Sequence, residues 1–90
     1  MKKHLLIFGK VQGVGFRYWL YMKAKEKNIN EWVKNKLSGK VEALLIGKDE
    51  DVKEVIKQCE VGPSFANVTK VKIQDYQQDY LNKSFDILSE

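Results

Sequence analysis

Ninety residues suffice for one small hydrophobic core and not for a second lobe, so any site must be built on that core. With 43% hydrophobic and 31% charged residues and no low-complexity run, the composition excludes extensive disorder outside the termini. The formal net charge of +4 comes from 16 basic residues, all but one of them lysine, interspersed with acids as in Lys23, Lys25, Glu26, Lys27 and Lys53, Glu54, Lys57, Glu60, a pattern of solvated helix faces and not of a nucleic-acid stripe.

Leu5, Leu6, Ile7 and Phe8, bounded by Gly9, predict a central strand over Lys3 to Lys10 with both faces largely buried. From Phe16 the period changes. Phe16, Trp19, Leu20 and Ala24 recur at three- and four-residue steps among charges, which predicts an amphipathic helix ending near Asn28. Two short strands follow, Asn30 to Lys36 and Lys40 to Gly47, joined as a hairpin through Leu37-Ser38-Gly39. Asp49, Glu50 and Asp51 then place negative charge in the first turn of a second helix, with Val52, Val55, Ile56 and Cys59 on one stripe and Gly62-Pro63 as the stop. Val68, Val71 and Ile73 mark another strand, and a short last strand is expected at Phe85 to Leu88 after a polar bend over Gln77 to Lys83. The order βαββαβ with a short fifth strand predicts an α+β chain, a ferredoxin-like α/β sandwich with two helices on one face of an antiparallel sheet, the 90 residues forming a single domain.

Chemistry concentrates between the first strand and the first helix, in Gly9-Lys10-Val11-Gln12-Gly13-Val14-Gly15-Phe16-Arg17. The first N–H groups of a helix have no intrahelical partner and sit at the positive end of its dipole. Gly13 and Gly15 can take positive φ and turn successive N–H groups toward one centre, and their lack of Cβ lets a phosphate come near the main chain. Arg17 is the sole arginine, and its planar fork matches a phosphate or carboxylate in a way no lysine copies. A glycine loop alone would favour the plainer reading, a tight strand-to-helix turn with Arg17 on the surface. The spacing fits neither a dinucleotide fingerprint, for want of a third glycine, nor a Walker loop, which needs Gly-Lys followed by Ser or Thr.

The whole stretch resembles the signature of acylphosphatases, G-x-V-Q-G-V-x-F-R. Trp32-Val33-Lys34-Asn35 and Gly39-Lys40-Val41-Glu42-Ala43 are similar to that family's G-W-V-R-N and D-G-x-V-E-A segments, and the likeness runs through Gly62-Pro63, over nearly the whole chain. It implies that Arg17 binds a substrate's phosphate, that Asn35 positions the attacking water, and that the main-chain amides of Gln12, Gly13, Val14, Gly15, Phe16 and Arg17 line the cradle. Glu31, Lys34 and Ser38 depart from the pattern; a glycine in place of Glu31 would reflect a special backbone conformation or close packing.

The activity so implied is hydrolysis of small acyl phosphates, without metal or cofactor. An acyl phosphate carries its own activated leaving group, so holding the phosphoryl group and aligning a water suffices, and asparagine, a poor base, orients the water instead of deprotonating it. Other devices fare worse. His4, the sole histidine, completes no Ser-His-Asp or Cys-His set, Asp49 to Asp51 read as dipole compensation instead of a metal site, and Cys59 reads as a small buried hydrophobe. Phe8, Phe16 and Phe85 fit inward-facing positions, and Trp19 and Trp32 read as core residues, so base stacking is not expected.

With one cysteine there is no internal disulfide, and no apolar run approaches the roughly 20 residues that span a bilayer. A cytoplasmic monomer acting on a small acyl phosphate, with no membrane or nucleic-acid partner, is therefore expected. The rival is a non-catalytic ferredoxin-like module that binds phosphate, a phosphorylated partner or RNA through the same loop.

Overall fold

The computed structural model describes residues 1–77 and 82–89. Its elements run β1 (Lys2–Lys10), α1 (Phe16–Glu26), β2 (Asn30–Asn35), β3 (Val41–Ile46), α2 (Asp49–Cys59), β4 (Asn67–Asp75) and β5 (Phe85–Leu88). The sheet order is β4-β1-β3-β2-β5, so β1 and β2 flank β3 while β3 and β4 flank β1, and the two βαβ crossovers interleave. Pairings β1–β3, β1–β4 and β2–β3 are antiparallel, as expected. β5, however, lies parallel to β2, which makes the sheet mixed at that edge. β5 runs opposite to β4, and β4 runs opposite to β1 and β2, so a strand added beside β2 in this direction has to be parallel to it. The expected bend over Gln77 to Lys83 lies partly outside the described residues.

Side chains alternate between sheet faces with period two, and this alternation separates core from surface. Leu5 and Ile7 of β1, Val33 of β2, and Val41, Ala43 and Leu45 of β3 are buried together with Phe16, Leu20 and Ala24 of α1 and Val52, Val55, Ile56 and Cys59 of α2. α1 ends at Glu26, short of the expected Asn28, because the chain closes there in a Schellman motif. Asn28 takes φ 54°, its N–H donates to the Lys25 carbonyl (3.3 Å), and the Ile29 N–H donates to the Ala24 carbonyl (2.9 Å), with Ala24 and Ile29 both in the core. At the other end of β1 the register with β4 shifts between Phe8 and Gly9; a Cβ on Gly9 would lie 2.1 Å from the Asn67 carbonyl oxygen, so only glycine lets the two strands close.

β1 was expected to be covered on both faces, with Phe8 and Trp32 inward. Both helices pack on one face, as expected, but the same alternation that buries Leu5 and Ile7 sends His4, Leu6 and Phe8 to the other, where Phe8 and Trp32 are only half-buried. Lysine side chains cover these rings. The ammonium groups of Lys40 and Lys70 lie 5.1 and 5.5 Å from the Phe8 ring centre, and that of Lys34 lies 5.1 Å from the Trp32 ring. Between them Leu44, opposite both His4 and Trp32, is fully buried on this helix-free face. Beside it Glu42 bonds the His4 Nε2 (2.7 Å) and sits 3.6 Å from the ammonium groups of Lys34 and Lys36. Burial alone would raise the Glu42 pKa, yet the His4 hydrogen bond and the charges of Lys36, His4 and Lys34 prevail and lower it.

Glu31 is the sharpest local conflict between sequence and fold. It is fully buried, it adopts φ 113° in the region that favours glycine, and its Oε1 has no partner among the described residues. Its Oε2 accepts from the Asn82 N–H (3.3 Å), and its own N–H donates to the Ser84 carbonyl (2.9 Å), so the residue ties β2 to the approach to β5. Burial raises its pKa, with the nearby Asp86 carboxylate adding to the effect against the opposing Asn82 bond. A non-glycine residue in such a conformation costs about 1–3 kcal/mol, and an unsatisfied buried oxygen about as much again; one neutral donor at 3.3 Å does not offset both.

Glu31→Gly is therefore expected to stabilise the fold by about 1 kcal/mol or more, raising Tm by about 4 °C or more. A raised folded-state pKa means the folded chain holds its proton more tightly, so the part of the Glu31 penalty that comes from burying its charge is absent below the ordinary carboxylate range and grows as pH rises through it, on top of a backbone strain that does not vary with pH. The gain from Glu31→Gly should thus be larger at pH 7 than at pH 4; equal or lower stability of the variant at pH 7 would refute the strain argument. Cys59, whose pKa is pushed up to about 12 by burial and then by Glu60, should resist alkylation in the native protein at neutral pH and react on denaturation.

Candidate active site

The turn from β1 into α1 holds two glycines in the left-handed region, Gly13 at φ 73° and Gly15 at φ 77°. A Cβ at either would meet nothing within 4 Å, so what demands glycine here is backbone conformation rather than space. Gly15 is the N-cap of α1, no side chain caps this end, and the first helical bond runs from the Trp19 N–H to the Gly15 carbonyl (3.0 Å). The N–H groups of Phe16, Arg17 and Tyr18 are consequently free of intrahelical partners. No acid compensates the first turn of α1, whereas Asp49, Glu50 and Asp51 all do so in α2. One helix has its dipole neutralised by its own sequence; the other presents it to whatever occupies the turn.

A cleft of about 250 Å³ opens at this point. Gly13, Gly15, Phe16 and Arg17 line it from the turn, Asn35 from the end of β2, Tyr18 from α1, and Val11 and Ile87 complete the wall. Arg17 has no ion-pair or hydrogen-bond partner among the described residues. Asn35 carries a buried Oδ1 that likewise has no partner among them. A buried acceptor left open costs about 1–3 kcal/mol, a cost that a bound donor within the cleft would remove.

Of the residues singled out in the sequence, Gly13, Gly15, Phe16, Arg17 and Asn35 are brought to this one cleft, though 18 positions separate Arg17 from Asn35. Gln12 and Val14 belong to the same turn but do not line the cleft. Val14 packs against the core. The Gln12 side chain does something its sequence position did not disclose: its Nε2 donates to the carbonyls of Lys36 (2.7 Å) and Lys40 (2.9 Å). Those carbonyls also close the β2–β3 turn, through the Lys36 N–H to Lys40 and the Gly39 N–H to Lys36, so Gln12 clamps the turn that follows Asn35 to the loop that carries Arg17. Tyr18 and Ile87 were also missed. Period-two alternation from Phe85 would have placed Ile87 on the helix-facing side of β5, and it pairs with Val33, one same-face step from Asn35. Among the described residues no group of three or more His, Cys, Asp or Glu side chains could hold a metal ion.

A sheet of this order, with an uncompensated helix start and a lone guanidinium on one cleft, defines the class: a ferredoxin-like α/β sandwich with a site suited to phosphate. The acylphosphatase family model matches residues 3–87. An acylphosphatase of Rhodopseudomonas palustris (strain BisB5) is 42% identical over 92 residues, covering 97% of this chain and 93% of the relative. One from Moorella thermoacetica is 39% identical and covers 99% and 95%. The crystal structure of the acylphosphatase from Bacillus subtilis superposes with a TM-score of 0.92 at 30% identity, covering 97% of each chain. The chain belongs to the acylphosphatase family.

If Gln12 holds the two halves of the cleft together, Gln12→Ala should cost about 1–2 kcal/mol for two neutral hydrogen bonds and should shift the side-chain amide resonances of Asn35 in the folded protein. Unchanged Asn35 resonances would remove Gln12 from that task.

Proposed function

We propose that this protein hydrolyses the carboxyl-phosphate anhydride of small acyl phosphates, with its 90 residues acting as one unit. The observation that carries the proposal is the buried, unpartnered Oδ1 of Asn35 on the same cleft as Arg17 and the uncapped start of α1. Arg17 grips the phosphoryl oxygens through its fork, and the main-chain N–H groups of the turn that lines the cleft, at Gly13, Gly15, Phe16 and Arg17, supply further donors. Asn35 Oδ1 accepts a hydrogen bond from a water and leaves a lone pair of that water aimed at phosphorus.

Attack forms a bond from the water oxygen to phosphorus while the bond from phosphorus to the acyl oxygen breaks. The electron pair leaves with the carboxylate, and the water proton passes to solvent or to the phosphate product. The leaving group is a weakly basic carboxylate, so no strong general acid is needed, and charge gathering on the equatorial oxygens meets the guanidinium and the helix start. We assign the reaction no metal, since the guanidinium and the open helix start supply the positive charge that the phosphoryl oxygens need. The protein is proposed to work as a cytoplasmic monomer on small molecules, without nucleic acid; the unpaired, buried Cys59 suits a reducing compartment.

The test is phosphate release from benzoyl phosphate in the presence of chelator. Arg17→Lys keeps the charge and loses the fork, and should lower kcat/KM by about 100-fold while weakening inhibition by inorganic phosphate. Asn35→Ala should lower kcat by about 100-fold with phosphate inhibition nearly unchanged. Background rates with folded wild-type protein would refute the enzyme and leave a phosphate-binding module; full turnover by either variant would remove that residue from its role.

A further inference from the structure

The cleft is wider than a phosphate needs, and its remaining wall has a definite chemistry. Among the described residues Arg17 is the one charged residue lining it, and Asn35 the one uncharged polar side chain apart from the Tyr18 hydroxyl. The rest of the accessible wall is apolar. Val11 and Phe16 lie beneath the turn with their side chains almost wholly buried, so the apolar surface a ligand can reach belongs mainly to Tyr18, 62% exposed, and Ile87, 42% exposed.

These two residues reach the cleft from different elements, α1 and β5, and are held there by separate means. Tyr18 sits in the first turn of α1, and its ring stacks on Tyr21 one turn later (6.0 Å between centres, 30° between planes). Tyr21 is in turn covered by the Lys25 ammonium, 5.2 Å from its ring centre. The Tyr18 ring is thus braced on one side. Ile87 is fixed by the parallel pairing of β5 with β2, opposite Val33. Phe85, two residues earlier on the same face, is buried; Ile87, on the site side of it, is left partly open to the cleft.

Resting on the acyl phosphate assignment, we infer that Tyr18 and Ile87 form the subsite for the acyl group and select a flat, uncharged, apolar group such as an aromatic acyl over a small or anionic one. The lone guanidinium is taken by the phosphoryl group, so a second anionic group on the acyl side would meet apolar side chains with no cation to pair with. An aromatic ring lying against Tyr18 and Ile87 gains contact area that an acetyl group cannot reach.

The experiment separates this from the hydrolysis itself by using stable ligands. Phenylphosphonate and methylphosphonate share a phosphonate head and differ only in the group that would enter the subsite; their dissociation constants are measured by calorimetry, next to turnover of benzoyl phosphate. Wild-type protein should bind the phenyl compound about 10-fold more tightly, and Ile87→Ala with Tyr18→Ala should bring the two within about twofold. Both positions are partly exposed, so the fold should tolerate the changes. Ile87→Lys supplies the missing cation and should reverse the order between phenylphosphonate and phosphonoacetate. Equal affinity of the wild type for the phenyl and methyl compounds, or a phenyl preference that survives the double substitution, overturns the subsite whether or not phosphate is released. A phenyl preference that the substitutions abolish, without turnover, keeps the subsite and overturns the hydrolysis.

Discussion

The free N–H groups at the start of α1 are the constraint around which the site is organised. A helix must leave its first donors unpaired, and most sequences meet that demand with a Ser, Thr, Asp or Asn cap or with acids in the first turn. α2 follows the second course with Asp49, Glu50 and Asp51. α1 follows neither: a left-handed Gly15 holds the N-cap position with no side chain to offer, and the one charged residue in the first turn is a cation, Arg17. Positive charge is therefore concentrated on an unsatisfied helix end. The cost to the free chain is the counterpart of affinity for an anion, since whatever supplies negative oxygen there satisfies donors that the fold leaves open.

The second half of the site has to be brought to that helix end accurately, and two features do so. β3 lies between β1 and β2, so the loop leaving β1 and the last residue of β2 emerge at the same end of the sheet, on opposite sides of one intervening strand. Gln12 then spans the gap with two hydrogen bonds to the β2–β3 turn. A lone residue in a loop thereby couples the glycine-rich turn to the strand end that carries Asn35, whose buried Oδ1 has no partner among the described residues. Backbone pairing sets the coarse placement; a side-chain amide sets the finer one.

The remaining sheet face shows how a chain this small divides its apolar residues. Helices cover one face only, so Phe8, Trp32 and Leu44 must be sheltered by other means, and the stems and ammonium groups of Lys34, Lys40 and Lys70 provide it. Part of the lysine excess thus lies over aromatic rings instead of standing free in solvent. Glu31 is the converse case, a charged side chain placed where the backbone favours glycine, with one of its carboxylate oxygens unpartnered among the described residues. It does not line the cleft, and its hydrogen bonds to the Asn82–Ser84 segment give it a local anchoring role.

The element order, both helices and the glycine-rich turn with its single arginine were legible in the sequence because each is local: a 3.6-residue stripe from Phe16 to Ala24, acids ahead of Val52, and glycines at a strand-to-helix junction reveal themselves within a few residues. Asn35 was reached through resemblance, since nothing in its neighbours distinguishes an asparagine at a strand end. The orientation of Phe8 was misjudged because four apolar residues in a row look alike whether one face or both are covered, and coverage depends on which side the helices take. β5 beside β2, the contribution of Ile87 to the cleft, and the reach of Gln12 to Lys36 and Lys40 likewise required the folded chain. By itself the sequence determined which segments are helix or strand and where an anion can be held, because short-range periodicity and backbone freedom are properties of neighbouring residues. The tertiary structure decided which distant side chains share the cleft and which sheet face stays open, because strand order and direction are settled by contacts between residues far apart along the chain.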